Sequence, residues 1–399
     1  MKKKILMFGW EFPPHNSGGL GTACHGLTKA LIKKQTEIIF VLPKKLKGVD
    51  ESFLKIISPD APYTVMHAFD SPLSPYLNVK SYASDVFKDE PIYGRDLFEE
   101  VSRYAFFGEA IAKRRDFQII HAHDWLSFGA GIKAKEKTGN PLIVHVHATE
   151  FDRGGGNSID SRVYKIEREG MEKADKVIAN SNFMKSIIVR HYGIPEEKIE
   201  VVHNGIDFSE EDTATESTHK IKEAGKKIVL FVGRLTLQKG PDYFITCAKK
   251  VCDFSDDIFF VISGSGDMEQ QLLEKVAAMG ISDKVLFTGF LRGERLKEMY
   301  KMADLFVLPS VSEPFGITPL ESLINGTPVL LSKQSGVSEV LEHALKVDFW
   351  DTEEMANKII SALNYEPVCN CLKEYGRKEA RNITWDKAAE KCIDIYNTL

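Results

Sequence analysis

Short apolar runs alternate with amphipathic, helix-like stretches along most of the chain. The runs fall into two series, separated by a polar stretch at 207–227 that joins the two halves. Strands that alternate with helices are typical of parallel sheets with helices on both faces. The pattern predicts two doubly wound α/β domains and leaves residues 44–96 unassigned. The predicted strands are 4–9, 38–42, 119–121, 142–147, 176–179 and 199–202, then 228–232, 258–263, 285–289, 305–308 and 328–332.

Length and composition fit this two-domain picture and exclude several classes of protein. With 399 residues the chain exceeds what one core usually supports. A net charge of −5 argues against nucleic acid as the main ligand, and no apolar run reaches transmembrane length. The basic start is followed by too short an apolar run for a secretory signal. Six cysteines without Cys-x-x-Cys pairs suit free thiols in a reducing compartment, so we expect a cytoplasmic location.

The segment after the predicted strand 305–308 carries two carboxylates eight positions apart. Glu313 lies in a loop rich in proline and glycine, and Glu321 lies in the first turn of a helix that opens near Thr318. Crevices outside the carboxyl ends of parallel strands are where doubly wound sheets bind ligands. Two structural explanations stay open at this point: Thr318 and Glu321 fit a capping box, and Glu313 fits a solvated loop charge.

Three further loops carry features suited to holding phosphate. After the first strand of the second half, Arg234 offers a bidentate fork and Lys239 offers a point charge. Gly18 and Gly19 lie where a helix opens in the amino half, and Gly264 follows a strand of the second half. Glycine lets the backbone approach a phosphate, and helix amino ends present free N–H groups. A solvated basic turn and ordinary βα turns are the structural alternatives.

Two His-x-His pairs mark neighbouring strands of the amino half. His121 and His123 follow one apolar run, and His145 and His147 end the next. Residues two apart in a strand share a face, so the pairs could assemble a zinc or di-metal site. A metal hydrolase is therefore one alternative function, but it would leave the phosphate-type loops without a role. We expect no metal.

Together, the Glu-x7-Glu segment, the loop with Arg234 and Lys239 and the Gly-Gly turn resemble the retaining glycosyltransferases of family 4, which are group 1 glycosyltransferases similar to glycogen and starch synthases. The resemblance runs from about residue 4 to 385, with its elements in family order. Asn16 stands where the Lys-Thr-Gly-Gly motif of starch and bacterial glycogen synthases has lysine, which departs from an ADP-glucose-dependent polymerase.

The resemblance implies the GT-B fold, in which two Rossmann-like doubly wound domains face an interdomain cleft. It implies an acceptor-side domain at 1–205, a nucleotide-sugar-binding domain at 206–382 and a final helix at 383–399 that crosses back to the first domain. The implied function is transfer of a hexose, expected to be glucose, from a nucleotide diphospho-sugar to a carbohydrate or other hydroxyl acceptor. The anomeric configuration would be retained.

The resemblance also implies roles for individual residues. Arg234 and Lys239 would stabilise the departing diphosphate. Glu313 and His147 would contact the transferred sugar, and Glu321 would hold the ribose hydroxyls. The remaining implied contacts are Gly18, Gly19, Gly264, Leu291, Gly316, Ile317 and Thr318 on the donor side, and Asp124 and Trp125 on the acceptor side.

The expected partners are the nucleotide-sugar donor and the carbohydrate acceptor, without nucleic acid and without a transmembrane segment. Peripheral membrane contact is compatible with this. No Asp-x-Asp motif stands in a suitable place, so we expect no metal and no cofactor besides the donor substrate. A nucleotide-sugar 2-epimerase of the same fold is the second alternative function. It would use the same donor but need no acceptor.

Overall fold

The computed structural model describes residues 3–13, 19–43, 65–68, 97–155, 159–208 and 225–399. Most of the unassigned stretch and the interior of the joining segment lie outside these residues, as does Gly18. The chain divides into two compact units, each made of segments that are not consecutive in the sequence. The first unit comprises Met1–Glu150, Ile159–Gly205 and Trp385–Leu399, and the second comprises Phe151–Ser158 and Ile206–Thr384.

The sheet of the first unit has seven parallel strands. Most residues of its central strands are buried, as expected for a sheet that is covered on both faces. The strands are β1 Lys4–Phe8, β2 Glu37–Leu42, β3 Val65–Ala68, β4 Ile119–His123, β5 Leu142–Val146, β6 Lys176–Ala179 and β7 Ile199–Val201. Their spatial order is β3-β2-β1-β4-β5-β6-β7, so the direction of winding reverses between β1 and β4.

Local capping signals fix several helices of the first unit. The Asp160 side chain accepts from Arg162 N–H, and the Ser181 hydroxyl accepts from Met184 N–H, at the starts of two helices. The helices are α1 Gly19–Lys33, α2 Leu97–Ala112, α3 Trp125–Thr138, α5 Ser161–Lys173 and α6 Asn182–Ile187, which continues as a π-helix at Ile188–Tyr192. The short helix α4 Glu150–Arg153 belongs to the second unit from Phe151 onward. A 3₁₀ turn spans Glu196–Lys198.

The sheet of the second unit has six parallel strands, and both of its faces are buried. Val229 and Phe231 belong to one hydrophobic cluster, whereas Ile228 and Leu230 belong to another, because alternate residues of a strand face opposite sides. The strands are β8 Lys227–Val232, β9 Ile258–Ser263, β10 Val285–Gly289, β11 Leu305–Leu308, β12 Val329–Ser332 and β13 Leu345–Val347. Their spatial order is β10-β9-β8-β11-β12-β13.

The helices of the second unit follow its strands in regular alternation. They are α7 Pro241–Phe254, α8 Glu269–Ala278, α9 Glu294–Met302, α10 Thr318–Ile324, α11 Thr352–Asn364 and α12 Glu366–Asn382, with 3₁₀ turns at Leu237–Lys239 and Gly336–Glu339. Among the described residues, no helix has both the length and the apolar character needed to span a bilayer.

The last helix, α13 Trp385–Asn397, is part of the first unit. The Trp385 ring lies over Gly26 of α1, in the space that a side chain at that position would need. Two ion pairs join α13 to the end of α1 and the residue after it, with Lys33 Nζ 2.6 Å from Asp386 Oδ2 and Lys34 Nζ 2.7 Å from Glu390 Oε1. The sequence pattern placed a helix here, and tertiary packing decides which unit it completes.

The structure departs from the sequence prediction at several places. The short strands β3 and β13 were not predicted, and β5 ends at Val146, so His147 stands one residue beyond its strand. The predicted first domain, 1–205, included Phe151–Ser158, which the structure groups with the second unit. There Asp152 accepts a hydrogen bond from the Ser312 hydroxyl. A local pattern follows the order of the chain and carries no information about such packing.

Candidate active site

The strand order of the second sheet identifies where its loops can hold a ligand. From β8 the chain winds outward to β9 and β10, and it then returns to β11 on the other side of β8. Loops that leave the carboxyl ends of strands at such a switch point diverge, and ligands bind between them. Residues 233–240 follow β8 and residues 309–317 follow β11. These two loops carry Arg234, Lys239 and Glu313.

Main-chain hydrogen bonds fix the loop after β11 against the loops after β8 and β12. The Val311 N–H donates to the Gln238 carbonyl over 2.9 Å. The Glu313 N–H donates to the Gln334 carbonyl over 2.9 Å, and the Glu313 carbonyl accepts from the Gly336 N–H over 2.9 Å. Sequence reasoning missed Gln238 and Gln334, because the loop contacts are made by their backbone carbonyls, which leave no signal in the side-chain pattern.

Lys239 and Glu313 form a buried ion pair between these loops. Lys239 Nζ lies 2.5 Å from Glu313 Oε2, and the two side chains are 20% and 8% exposed. The Ser310 hydroxyl donates to the same oxygen over 3.4 Å. A carboxylate so far from water needs a cation, since an unpaired buried charge is strongly unfavourable. The explanation of Glu313 as a solvated loop charge is therefore wrong.

Arg234 adds a second cation from the same loop. Its side chain is half-buried, and Nη2 donates to Gln238 Oε1 over 3.3 Å. The guanidinium is thereby attached to the residue whose backbone holds the neighbouring loop. Two cations and one carboxylate stand at this edge of the sheet, so the site can receive an anion while Glu313 remains neutralised.

Gly264 lies in the adjoining loop, after β9. It has a φ of 153°, and a side chain there would overlap the Gly233 carbonyl oxygen. The Gly264 N–H donates to the Gly289 carbonyl over 2.9 Å, and the Leu235 N–H donates to the Ser265 carbonyl over 2.9 Å. Glycine is required here because only hydrogen fits between the two loops. The predicted contact of Gly264 with the donor stays a prediction.

The other predicted donor-binding residues of the second unit lie at the start of α10 and after β10. Gly316 has a φ of 99°, Ile317 occupies the N-cap position of α10, and Thr318 is its first helical residue. The first N–H groups of a helix lack intrahelical partners, so this end is suited to an anion. Leu291 follows β10, is half-buried, and is two strands away from β8 in the sheet order.

Glu321 bonds to a neighbouring helix and not to its own helix start. Tyr300 of α9 donates its hydroxyl to Glu321 Oε2 over 2.9 Å. The N-cap residue of α10 is Ile317 and the start has no side-chain capping bond, so the capping-box explanation is wrong. Burial raises the pKa of the Glu321 carboxyl above its usual range, and the Tyr300 hydrogen bond opposes this only in part. Sequence reasoning missed Tyr300, because it lies 21 positions away with no local link.

In the first unit, His147 is held at both of its backbone groups. Asp124 Oδ1 accepts from the His147 N–H over 2.6 Å, and Asn180 Nδ2 donates to the His147 carbonyl over 3.0 Å. Asp124 has a φ of 59°, which is strained for a residue with a side chain. Asp124 therefore positions the loop after β5, a role that the sequence did not indicate.

The other predicted residues of the first unit lie at helix starts. Trp125 is in the first turn of α3, is 5% exposed and packs 5.9 Å from the Phe98 ring. Gly19 is the exposed first residue of α1, and Gly18 lies outside the described residues. The acceptor contacts of Asp124 and Trp125 and the donor contact of Gly19 stay predictions.

Two parallel α/β units, each with one reversal of strand order, are the architecture that the GT-B class requires. Residues 17–210 match the family described as Glycosyltransferase Family 4, and residues 212–379 match Glycosyl transferases group 1. An uncharacterized glycosyltransferase of Methanocaldococcus jannaschii is 30% identical over an alignment of 418 residues that covers 98% of this chain and 97% of that protein. The chain belongs to the group 1 glycosyltransferases and is a transferase enzyme.

Solved structures share the fold at low sequence identity. The sucrose-phosphate synthase of Thermosynechococcus elongatus superposes with a TM-score of 0.79 at 20% identity, covering 100% of this chain and 99% of that one. Anabaena HepE, solved in complex with UDP and glucose, gives a TM-score of 0.72 at 17% identity, covering 100% of both chains. These likenesses support the GT-B fold from full-length superpositions.

Proposed function

We propose that the chain transfers glucose from a nucleoside diphosphate sugar to a hydroxyl acceptor with retention of anomeric configuration. The observation that carries the proposal is the Lys239–Glu313 ion pair at the switch point, with Arg234 on the same loop. Family membership and the Glu-x7-Glu spacing support retention. HepE shares the fold and is solved with UDP and glucose, so UDP-glucose is the first donor to test.

Arg234 and Lys239 would stabilise the leaving diphosphate. Negative charge builds on that group as the bond to the sugar breaks, and cations that are already in place stabilise it without reorganisation. A hydrogen bond to a charged group contributes roughly 1.5–3 kcal/mol. The ion pair with Glu313 and the hydrogen bond to Gln238 hold the two cations in place before the donor arrives.

Glu313 would lie next to the transferred sugar. An oxocarbenium-like transition state carries positive charge at the anomeric carbon, so a nearby carboxylate stabilises it more than it stabilises the bound donor. Lys239 would then be shared between Glu313 and the diphosphate. Glu321 would hold the ribose hydroxyls through Oε1, since Tyr300 engages Oε2.

The proposed reaction needs no metal at the diphosphate. Arg234, Lys239 and the helix N–H groups near Ile317 supply the positive potential that magnesium or manganese would otherwise supply. Turnover should therefore be the same with and without added magnesium or manganese. An absolute requirement for either ion would contradict this part of the proposal.

The test is a panel of UDP-, ADP- and GDP-sugars, first by thermal shift. A bound donor raises the melting temperature according to its concentration over its dissociation constant. Turnover with the stabilising donor and an acceptor series follows, with the anomeric configuration of the product read by NMR. Arg234→Ala should reduce turnover by at least about tenfold, whereas Arg295→Ala, an exposed residue of α9, should leave it unchanged.

Three outcomes would contradict the proposal. They are no stabilisation by any nucleotide sugar, a product with inverted configuration, and conversion of the nucleotide sugar alone to a 2-epimer without an acceptor. Equal turnover of the Arg234→Ala and Arg295→Ala proteins would remove the diphosphate from this loop.

A further inference from the structure

Four histidine rings, His121, His123, His145 and His147, pack together on β4 and β5 of the first unit; they form the histidine cluster. His123 is the register partner of His145 on the adjacent strand. The ring centroids of His121 and His123 are 4.4 Å apart, and those of His145 and His147 are 4.3 Å apart. The four residues are between 0% and 8% exposed. Of these four residues, the family resemblance implies a role for His147 alone.

Most ring nitrogens of the histidine cluster have no hydrogen-bond partner among the residues that the structure describes. They are Nε2 of His121, Nε2 of His123, both nitrogens of His145 and Nδ1 of His147. Buried polar atoms are nearly always satisfied, and an unsatisfied one costs about 1–3 kcal/mol. So many unsatisfied nitrogens in one place indicate a ligand that accepts several lone pairs at once.

Three of the rings form a ligand set whose outer partners are already in place. His121, His123 and His145 each offer one ring nitrogen, and these atoms lie within 4.8 Å of one another. The Tyr396 hydroxyl is 2.7 Å from His121 Nδ1, and His147 Nε2 is 2.9 Å from His123 Nδ1. The first contact leaves Nε2 of His121 for a ligand, and the second leaves Nε2 of His123. Metal-binding histidines regularly make such a second hydrogen bond, which fixes the ring and its tautomer.

The ligand atoms of this set indicate the kind of ion. Imidazole nitrogens alone favour zinc and similar transition metals over magnesium or calcium, which prefer oxygen ligands.

A second ligand set shares His123 with the first. Cys24, His123 and His147 also bring ligand atoms within 4.8 Å of one another. Binding His123 and His147 to one ion would compete with the contact between their rings. The set with three histidines is therefore favoured.

We propose that His121, His123 and His145 bind a zinc-type divalent ion in the first unit, with Tyr396 and His147 orienting two of the ligands. A tetrahedral ion with bonds near 2.0 Å needs nitrogens about 3.3 Å apart, so the rings close slightly around it. The fourth position takes water or another donor. This revises the expectation of no metal for the first unit and leaves it in place for the diphosphate. It does not rest on the proposed transfer reaction.

Metal analysis of the full chain, refolded with zinc and then dialysed, tests the site. The wild type should retain about one zinc ion per chain, and His145→Leu should lose it, because this variant removes a ligand and two unsatisfied nitrogens. Cys24→Ala and the exposed control His191→Ala should retain the wild-type content. Tyr396→Phe should keep the fold and weaken zinc binding about 10–100-fold, since it removes only an outer partner.

A second test replaces zinc with cobalt. It is made on the wild-type protein, so it remains available if His145→Leu does not fold. A nitrogen-only set gives weak visible bands, whereas a cysteine ligand adds an intense thiolate-to-cobalt band in the near ultraviolet. The proposal is overturned if the wild type retains no zinc or if a folded His145→Leu protein retains as much as the wild type. It is also overturned if the thiolate band is present and Cys24→Ala abolishes binding.

Discussion

Burial disfavours the charged form of the Glu321 carboxyl group, which is also the proposed contact of the donor ribose. Its carboxyl pKa is raised in the folded protein, so the wild type loses stability as the pH rises from the ordinary value of 4.5 through the folded-state pKa. Glutamine carries no charge and still accepts the Tyr300 hydrogen bond. We expect Glu321→Gln to be at least as stable as the wild type near neutral pH, with an advantage that shrinks toward pH 4, as measured by urea unfolding.

The same variant should bind the donor more weakly, because its one oxygen stays with Tyr300 and an uncharged NH2 group replaces the carboxylate oxygen proposed to face the ribose hydroxyls. Glu298→Gln, at an exposed position of α9, is the matched control and should change neither property. A Glu321→Gln protein that is less stable at neutral pH, or that binds the donor as tightly as the wild type, would contradict the assignment.

The Lys239–Glu313 pair gives a second prediction at the residue scale. Lys239→Ala leaves a buried carboxylate without its cation and should lower the free energy of unfolding by roughly 3 kcal/mol. Adding Glu313→Gln should restore most of that stability without restoring turnover. The control is Lys333→Ala, which breaks the exposed pair with Asp348 and should cost less than about 1 kcal/mol. Equal losses for Lys239→Ala and Lys333→Ala would show that burial of the first pair contributes little.

At the scale of elements, the close approach of the loops after β8 and β9 requires a residue without a side chain at Gly264. Gly264→Ala forces a methyl group against the Gly233 carbonyl, so the loop that carries Arg234 must move. We expect weakened donor binding and a loss of stability greater than that of Gly139→Ala. Gly139 also has a positive φ, 75°, but has open space around it, so it isolates backbone strain from the clash. Isothermal titration with the donor and chemical unfolding measure the two effects, and equal behaviour of both variants would contradict the prediction.

The sequence predicted the elements that carry the site but not the contacts within it. Apolar runs and turn residues identified β8 and β11 and the loops that hold Lys239 and Glu313, because strand and loop propensities are local. The bond between those two side chains, 74 positions apart, depends on strand order, which no local pattern contains. The same reason applies to Tyr300 beside Glu321, where a local explanation, the capping box, competed with the tertiary one.

At the scale of the whole molecule, α13 is needed to complete the first unit. Trp385 is 5% exposed and packs over Gly26 of α1. Trp385→Ala should lower the stability of the first unit by roughly 3–5 kcal/mol, as expected for removing a large buried aromatic side chain. Trp350→Ala, at a position that is 57% exposed, should change little. Hydrogen exchange resolves the units, so faster exchange in α1 without change in β8 is the expected result, and uniform acceleration in both units would contradict it.

That arrangement has a consequence for the order in which the protein matures on the ribosome. Domains usually fold in the order in which they are synthesised. Here the residues from Ile206 to Thr384 emerge before α13, although the first unit has begun to emerge long before them. During synthesis the first unit therefore stays incomplete, with one face of α1 uncovered, until the second unit has been made. The half that starts first is therefore finished last, and chaperones have the longest access to that uncovered helix face.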